Sequence, residues 1–190
     1  MGTKLRRGFR AESEEYAEEY RDELGLERHA PLSPKVLCEH LSIPVHDLST
    51  FPGVSPTEKA FFAGPGNSLF SATTIPLGTR RVILHNDYQH PNRQISNIMH
   101  EVAHIVLGHP PKPPLIGESC RNYDATAELE ANQLGFTLLV PKVAALFAVE
   151  GFSSLAEAAA YYGVSVKLLT HRVQITDVRR WAINRARKRA

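Results

Sequence analysis

The sequence predicts an α+β fold in which a small antiparallel sheet packs on one long helix and an all-helical segment follows. The sheet is predicted from two short runs rich in apolar and β-branched residues, 69–74 and 80–85, which flank a turn containing proline and glycine. The helices are predicted from apolar residues at helical spacing over 91–107 and 123–140. After Pro141 the pattern is typical of helix to the end of the sequence.

The first third of the chain predicts one charged helix, one short helix and one strand. Residues 9–24 place aromatic and aliphatic side chains at roughly helical intervals among acidic ones. Ser33 is suited to cap a short helix over 34–41, whose first residue is proline. An edge strand is predicted at 43–48, and the prolines and glycines of 52–66 predict a loop-rich stretch.

Length and composition predict a folded core with a helical appendage. The 190 residues are 43% apolar and 22% charged, as in ordinary globular domains, and the net charge of +2 indicates no strongly charged partner. The charge is unevenly spread, since 11–23 is acidic and 179–190 is strongly basic. We divide the chain into an N-terminal charged helix (1–30), a core (31–145) and a helical segment with a basic tail (146–190).

Two features predict a cytoplasmic protein. Cys38 and Cys120 are far apart and neither belongs to a Cys-x-x-Cys pair, which favours a reducing compartment over a disulfide scaffold. The basic N-terminus is not followed by the apolar stretch of a signal peptide, and no run is apolar for the thickness of a bilayer. We therefore expect a cytoplasmic location and no contact with a membrane.

A His-Glu-x-x-His pattern lies in the first long helix, at His100, Glu101 and His104. Residues four apart lie on one face of a helix, so both imidazoles can reach one metal ion. Glu101, beside the first histidine, is placed to accept a proton from water at that metal. The alternative is a pair of hydrogen-bonded core histidines, but these groups on an apolar helix are costly unless a partner satisfies them.

A metal site of this type needs a third protein ligand and an open position for water. The metzincin pattern would supply a histidine six residues after His104, but that position is Pro110, and Leu107 stands where the pattern needs glycine. His109 is one position short of the pattern. His109 and Cys120 are less favoured candidates for the third ligand.

The predicted second long helix offers carboxylates instead. Glu128 is the third ligand that we favour, and Asn132, four residues on, lies on the same face, where it can hydrogen-bond a ligand. Glu130 points about 200° away from Glu128 on an ideal helix, so only one of the two can face the metal. Taken alone, either glutamate is more usually a solvated helix charge.

From His100 to Pro141 the sequence resembles the ImmA/IrrE family of metallo-endopeptidases, which join a His-Glu-x-x-His helix to a helix of the pattern E-x-x-A-[DN]-x-x-A-x-x-L-L-x-P. The second pattern is matched by Glu128, Ala131, Asn132, Leu138, Leu139 and Pro141. Gly135 departs from it, since alanine is common at that position. Flanking segments, among them the strand that leads to Asn86, extend the resemblance over about residues 10–175.

The resemblance implies a zincin-like metallopeptidase domain of the gluzincin type, with Zn2+ as its metal. Two imidazoles and a carboxylate would also suit Mn2+, iron or cobalt. Studied members of the family cleave helix-turn-helix repressors and so derepress mobile-element or stress-response genes. The resemblance thus implies a regulatory protease whose protein substrate is an Xre-family repressor encoded nearby, and we expect that substrate to add as a strand to the sheet edge near 69–74.

In the expected mechanism Glu101 is the general base, which takes a proton from the attacking water and passes it to the leaving amine. A hydrogen-bond donor should stabilise the oxyanion of the intermediate. Tyr88, His85 and His90 precede the active helix and are candidates for this donor, as is Tyr123. For each of them the alternative is a loop or strand-end residue with a surface hydrogen bond.

The C-terminal segment supports a rival function. Residues 156–172 resemble a helix-turn-helix with a Gly-Val-Ser turn, and six Arg and Lys residues follow between 179 and 189. They suggest a DNA-binding regulator with a non-catalytic metal site, and a third possibility is a module that sequesters a repressor without cutting it. Against DNA binding, the second helix carries apolar Leu168 and Leu169 and few base-reading side chains, which favours a helical hairpin packed on the core.

Overall fold

A computed structural model describes residues 4–110 and 124–189. Within these ranges the chain forms nine helices and three strands, which is the α+β class that the sequence predicts. The elements are α1 (Phe9–Glu23), α2 (Pro34–His40), β1 (Val45–Asp47), α3 (Pro56–Ala63), β2 (Ala72–Leu77), β3 (Arg80–His85), α4 (Pro91–Val106), α5 (Ala125–Leu139), α6 (Lys142–Gly151), α7 (Leu155–Tyr161), α8 (Val166–Ile175) and α9 (Val178–Arg189).

The sheet is mixed, so the prediction of an antiparallel sheet is right for one pair of strands and wrong for the other. Its order is β1-β3-β2, with β2 antiparallel and β1 parallel to the central β3. The strand predicted at 69–74 lies three residues further on, where Thr74 pairs with Ile83. Pro76, predicted in the turn, is within β2; an edge strand tolerates proline because one side of its backbone has no ladder to complete.

Helix α3 occupies residues that were predicted to be loop, and its capping explains why. The Ser55 hydroxyl accepts from the backbone N–H of Glu58 while the Glu58 carboxylate accepts from the backbone N–H of Ser55. This reciprocal capping box, with Pro56 at the first helical position, starts a helix despite the surrounding prolines and glycines. Ser33 takes the capping position of α2 as predicted, but its side chain makes no capping hydrogen bond.

Helices α4 and α5 lie side by side at the centre of the core. Their buried side chains belong to one hydrophobic cluster that also takes residues from α1, α2, α6, α7 and α8. Gly135 brings the two helices close, because a Cβ there would lie 3.2 Å from the backbone oxygen of Met99 and 3.4 Å from the Cα of His100. The division of the chain into three segments stays a prediction, although all three contribute side chains to this cluster.

Two buried arginines bind the carboxyl end of α5. Arg21 donates to the backbone oxygen of Leu138, and Arg172 donates to that of Val140 and pairs with Glu14 at 2.6 Å. These contacts satisfy carbonyls that have no partner within their own helix. Burial lowers the pKa of Arg21 to about 10, so the carbonyls that it binds must offset a real desolvation cost.

The C-terminal helices pack on the core through α8. Leu169 and Arg172 of α8 are almost completely buried, and the turn between α7 and α8 uses Gly163 at a φ of 63°. The likeness of these helices to a DNA-binding motif stays a prediction. In the described ranges no single helix is long and apolar enough to cross a bilayer. Helices α5 and α6 taken together have the length and composition of a membrane span, but the pair is bent by 46°.

Candidate metal centre

Helix α4 presents its two histidines to α5 because its apolar side chains fix its rotation. Ile98, Met99 and Val102 are almost completely buried in the core. His90 is the N-cap of α4, and its Nδ1 accepts a hydrogen bond from the backbone N–H of Asn92. This predicted candidate for the oxyanion donor thus caps the helix. The remaining stripe carries the His-Glu-x-x-His residues.

The side chains of His100, His104 and Glu128 converge between the two helices. The two Nε2 atoms are 3.1 Å apart. Glu128 places Oε2 3.4 Å from Nε2 of His100 and Oε1 3.4 Å from Nε2 of His104. All three are partly buried, and together they form a group that could hold a metal ion.

The spacing of these atoms fits a tetrahedral ion. Zinc binds imidazole nitrogen and carboxylate oxygen at about 2.0–2.2 Å, so ligand atoms on the edges of its tetrahedron are separated by about 3.3 Å. The 3.1 Å separation of the two Nε2 atoms is close to such an edge, and each of these nitrogens is 3.4 Å from one oxygen of the Glu128 carboxylate. Two imidazoles and one carboxylate are thus close enough together to share one ion, and a zinc site with three protein ligands of this kind keeps a fourth position for water. The donors suit a divalent metal and do not by themselves select zinc.

Glu101 is held beside this group by the sheet. Its side chain is 8% exposed, and its Oε2 accepts a hydrogen bond of 2.8 Å from the hydroxyl of Thr74 on β2. The hydroxyl fixes one carboxylate oxygen, and no hydrogen bond from a described residue is made to the other. The sequence analysis did not identify Thr74, because nothing in a strand pattern indicates which residue will meet a helix from elsewhere in the chain.

His109 lies behind His104 rather than at the metal position. Its Nδ1 is 2.9 Å from Nδ1 of His104, which is the ring nitrogen opposite to the one that faces Glu128. Its Nε2 is 3.3 Å from Oε2 of Glu130. Glu130 thus faces away from the group formed by His100, His104 and Glu128, as the helical angle predicts, but it is joined to that group through His109.

A small cleft opens beside these residues. Arg81 of β3 donates to the backbone oxygen of His109 at 3.0 Å and helps to form the wall. The cleft is lined by Thr73, Thr74, Arg81, Glu101, His104, His109 and Pro110. Arg81 was not identified from the sequence, where it is one of two adjacent arginines at the start of a strand.

The other predicted site residues are not part of the group formed by His100, His104 and Glu128. His85 is fully buried, with its Nε2 2.7 Å from Asp47, and therefore offers no exposed surface to a substrate in this structure. Tyr88 is 39% exposed in the turn before α4, and Asn132 is half-buried on α5; their roles stay predictions. Tyr123 and Cys120 lie outside the described residues.

Comparison with known proteins agrees with this geometry. The model of the Peptidase_M78 family, described as an IrrE N-terminal-like domain, matches residues 38–174, which is well over half of the chain. No curated protein and no solved structure matches significantly. The matched range contains α4, α5 and all three strands, so the family covers the whole candidate site. The chain therefore belongs to the Peptidase_M78 family of metallopeptidases, which confirms the resemblance to the ImmA/IrrE proteins.

Proposed function

We propose that this chain is a zinc-dependent endopeptidase in which His100, His104 and Glu128 hold the metal and Glu101 is the general base. The observation that carries the proposal is the convergence of His100, His104 and Glu128 between α4 and α5, with the Glu101 carboxylate next to His100 in the sequence. Two imidazoles and a carboxylate that converge in this way are the ligand set of a metal site with one further position for water.

A divalent metal at this position would acidify water and polarise the scissile carbonyl. Glu101 would take the proton of the attacking water and deliver it to the leaving amine. Thr74 keeps the Glu101 carboxylate in place through its 2.8 Å hydrogen bond, which spares the reaction the cost of orienting it. Among the described residues, Tyr88, which is 39% exposed, is the remaining one of the predicted candidates for an oxyanion donor.

Strand β2 is the proposed docking edge for the substrate. It is an outer strand of the described sheet, and its Thr74 already contacts the general base. An extended peptide that pairs with this edge would run past Glu101, so that main-chain hydrogen bonds would supply binding that does not depend on sequence. The substrate was expected to pair with a sheet edge near 69–74; the edge strand of the structure is Ala72–Leu77, and we propose that the substrate pairs there.

The substrate that we propose is an Xre-type helix-turn-helix repressor in the cytoplasm, encoded near the gene for this chain. The support is family membership, which implies a protein substrate, together with the resemblance to proteases that act on repressors. The alternatives are sequestration of a repressor without cleavage and direct DNA binding through α8 and the basic α9.

The experiment compares wild type with Glu101→Gln, each co-expressed with the neighbouring repressor and a reporter under its control. Glu101→Gln keeps the size of the side chain and removes its basicity, so the repressor should remain intact while the zinc content is unchanged. Glu150→Gln, on the exposed surface of α6, is the matched control and should cleave like wild type. Equal derepression by wild type and Glu101→Gln would favour sequestration, and a salt-sensitive shift of operator DNA by the chain alone would favour the DNA-binding regulator.

A further inference from the structure

Three side chains behind the metal position form a continuous chain of contacts. Nδ1 of His104 is 2.9 Å from Nδ1 of His109, and Nε2 of His109 is 3.3 Å from Oε2 of Glu130. The second carboxylate oxygen of Glu130 is 3.4 Å from Nε of Arg6. The side chains of His109 and Glu130 are only 12% and 15% exposed, so solvent is not a ready substitute for these partners.

The backbone directs His109 to this place. Helix α4 ends in a Schellman turn, in which the N–H of His109 donates to the oxygen of His104 and Gly108 takes a φ of 67°. The turn folds the chain back on itself, so the side chain after the glycine lies over the last histidine of the motif. Arg81 then binds the backbone oxygen of His109 at 3.0 Å and holds the turn against β3.

The proton positions in this chain of contacts are determined by the metal site. A neutral imidazole carries one N–H, and two ring nitrogens can be hydrogen-bonded only if one of them carries hydrogen and the other does not. If His104 offers the lone pair of Nε2 to a metal, its proton must be on Nδ1. Nδ1 of His109 must then accept that proton, which leaves the proton of His109 on Nε2, where Glu130 can accept it.

The reverse arrangement excludes the metal. If His109 donated from Nδ1, His104 would accept at Nδ1 and carry its proton on Nε2, which is the atom that faces Glu128. The Glu130 carboxylate favours the first arrangement, because it needs a donor on Nε2 of His109. Glu128, 3.4 Å from Nε2 of His104, favours the reverse arrangement in the metal-free chain, so the proposal requires that the contact between His109 and Glu130 outweighs it. Arg6, in the segment that precedes α1, pairs with the Glu130 carboxylate.

We propose that His109 is a positioning residue that holds His104 in the Nδ1–H tautomer before the metal arrives, and that Glu130 holds His109 in turn. This inference rests on the proposed metal site and adds the residues that prepare it. Outer partners of this kind orient a metal-bound histidine and increase its basicity, and their loss typically weakens metal binding by about 10–100-fold. His109 thus acts through His104 and does not itself bind the metal.

The test uses the full chain, with zinc affinity measured by competition with a chelator. His109→Leu removes the acceptor at nearly constant size and should weaken zinc binding by about 10–100-fold. His109→Asn places a carbonyl oxygen close to the position of Nδ1 and should recover most of that loss. His104→Ala tests the site itself and should bind far more weakly than either variant. Circular dichroism establishes that each variant is folded.

A second measurement reads the tautomer directly. In nitrogen-15 NMR spectra of the metal-free protein, at a pH where the histidines are neutral, His104 should carry its proton on Nδ1 in wild type and on Nε2 in His109→Leu. The proposal about His109 is overturned if His109→Leu binds zinc like wild type while His104→Ala does not, or if wild-type His104 is protonated on Nε2. If His104→Ala also binds like wild type, the proposed metal site is wrong as well.

Discussion

Replacement of Glu128 by aspartate is the sharpest test of the metal site, because it keeps the charge and changes only the reach. Removing one methylene group withdraws the carboxylate by up to about 1.5 Å. Metal–ligand distances in real sites vary by only about 0.2 Å, so the shorter side chain cannot close that gap by itself. Helix α5 has little room to move nearer, because even a Cβ at Gly135 would lie 3.2 Å from the backbone oxygen of Met99.

Glu128→Asp should therefore leave two histidines as the only protein ligands and weaken zinc binding by at least about 100-fold, or about 2.8 kcal/mol. The assay is competition with a chelator of known zinc affinity, at constant pH and ionic strength. Glu150→Asp, which makes the same change on the exposed surface of α6, should bind zinc like wild type. A Kd for Glu128→Asp within about twofold of wild type would refute the assignment of this carboxylate as a ligand.

Three further predictions concern the base, the core and the metal. Thr74→Val removes the hydroxyl that donates to Glu101, so kcat should fall by about 10-fold, or about 1.4 kcal/mol, at unchanged zinc content, as measured by steady-state cleavage. Arg172→Met leaves Glu14 without its buried partner and should lower the free energy of unfolding in urea by about 3 kcal/mol; this is near the lower end for buried pairs because Glu14 is 25% exposed. Removal of zinc with a chelator should lower the Tm, and zinc at about 100 times its Kd should restore about 2.7 kcal/mol of stability.

Each of these predictions has a result that contradicts it. An unchanged kcat in Thr74→Val would mean that the hydroxyl does not orient the base. For the core pair, Arg172→Met with Glu14→Gln should cost less than the sum of the single variants, and strict additivity would show that the two side chains are not coupled. A Tm that is the same with and without zinc would mean that the metal does not bind the folded chain in preference to the unfolded one.

The elements that the sequence predicted well are those whose residues lie close together in the chain. The helix that carries His100 and His104 is predicted over 91–107 because that run has one apolar face, and the structure forms it at Pro91–Val106. Helix α3 was missed because its signal is a capping box of only two residues, Ser55 and Glu58, within a stretch dominated by prolines and glycines. The parallel direction of β1 was missed because the sequence of a single strand does not indicate which way its neighbour in the sheet runs.

The sequence by itself determined the candidate ligands of this protein, the spacing of the two histidines on one helix face, and the family to which the chain belongs. It could do so because a helix repeats every few residues and translates spacing directly into position. Only the tertiary structure decided which groups stand behind the ligands, namely Thr74 behind Glu101, and His109 and Glu130 behind His104. Those contacts join different elements, and their geometry depends on how the whole core packs.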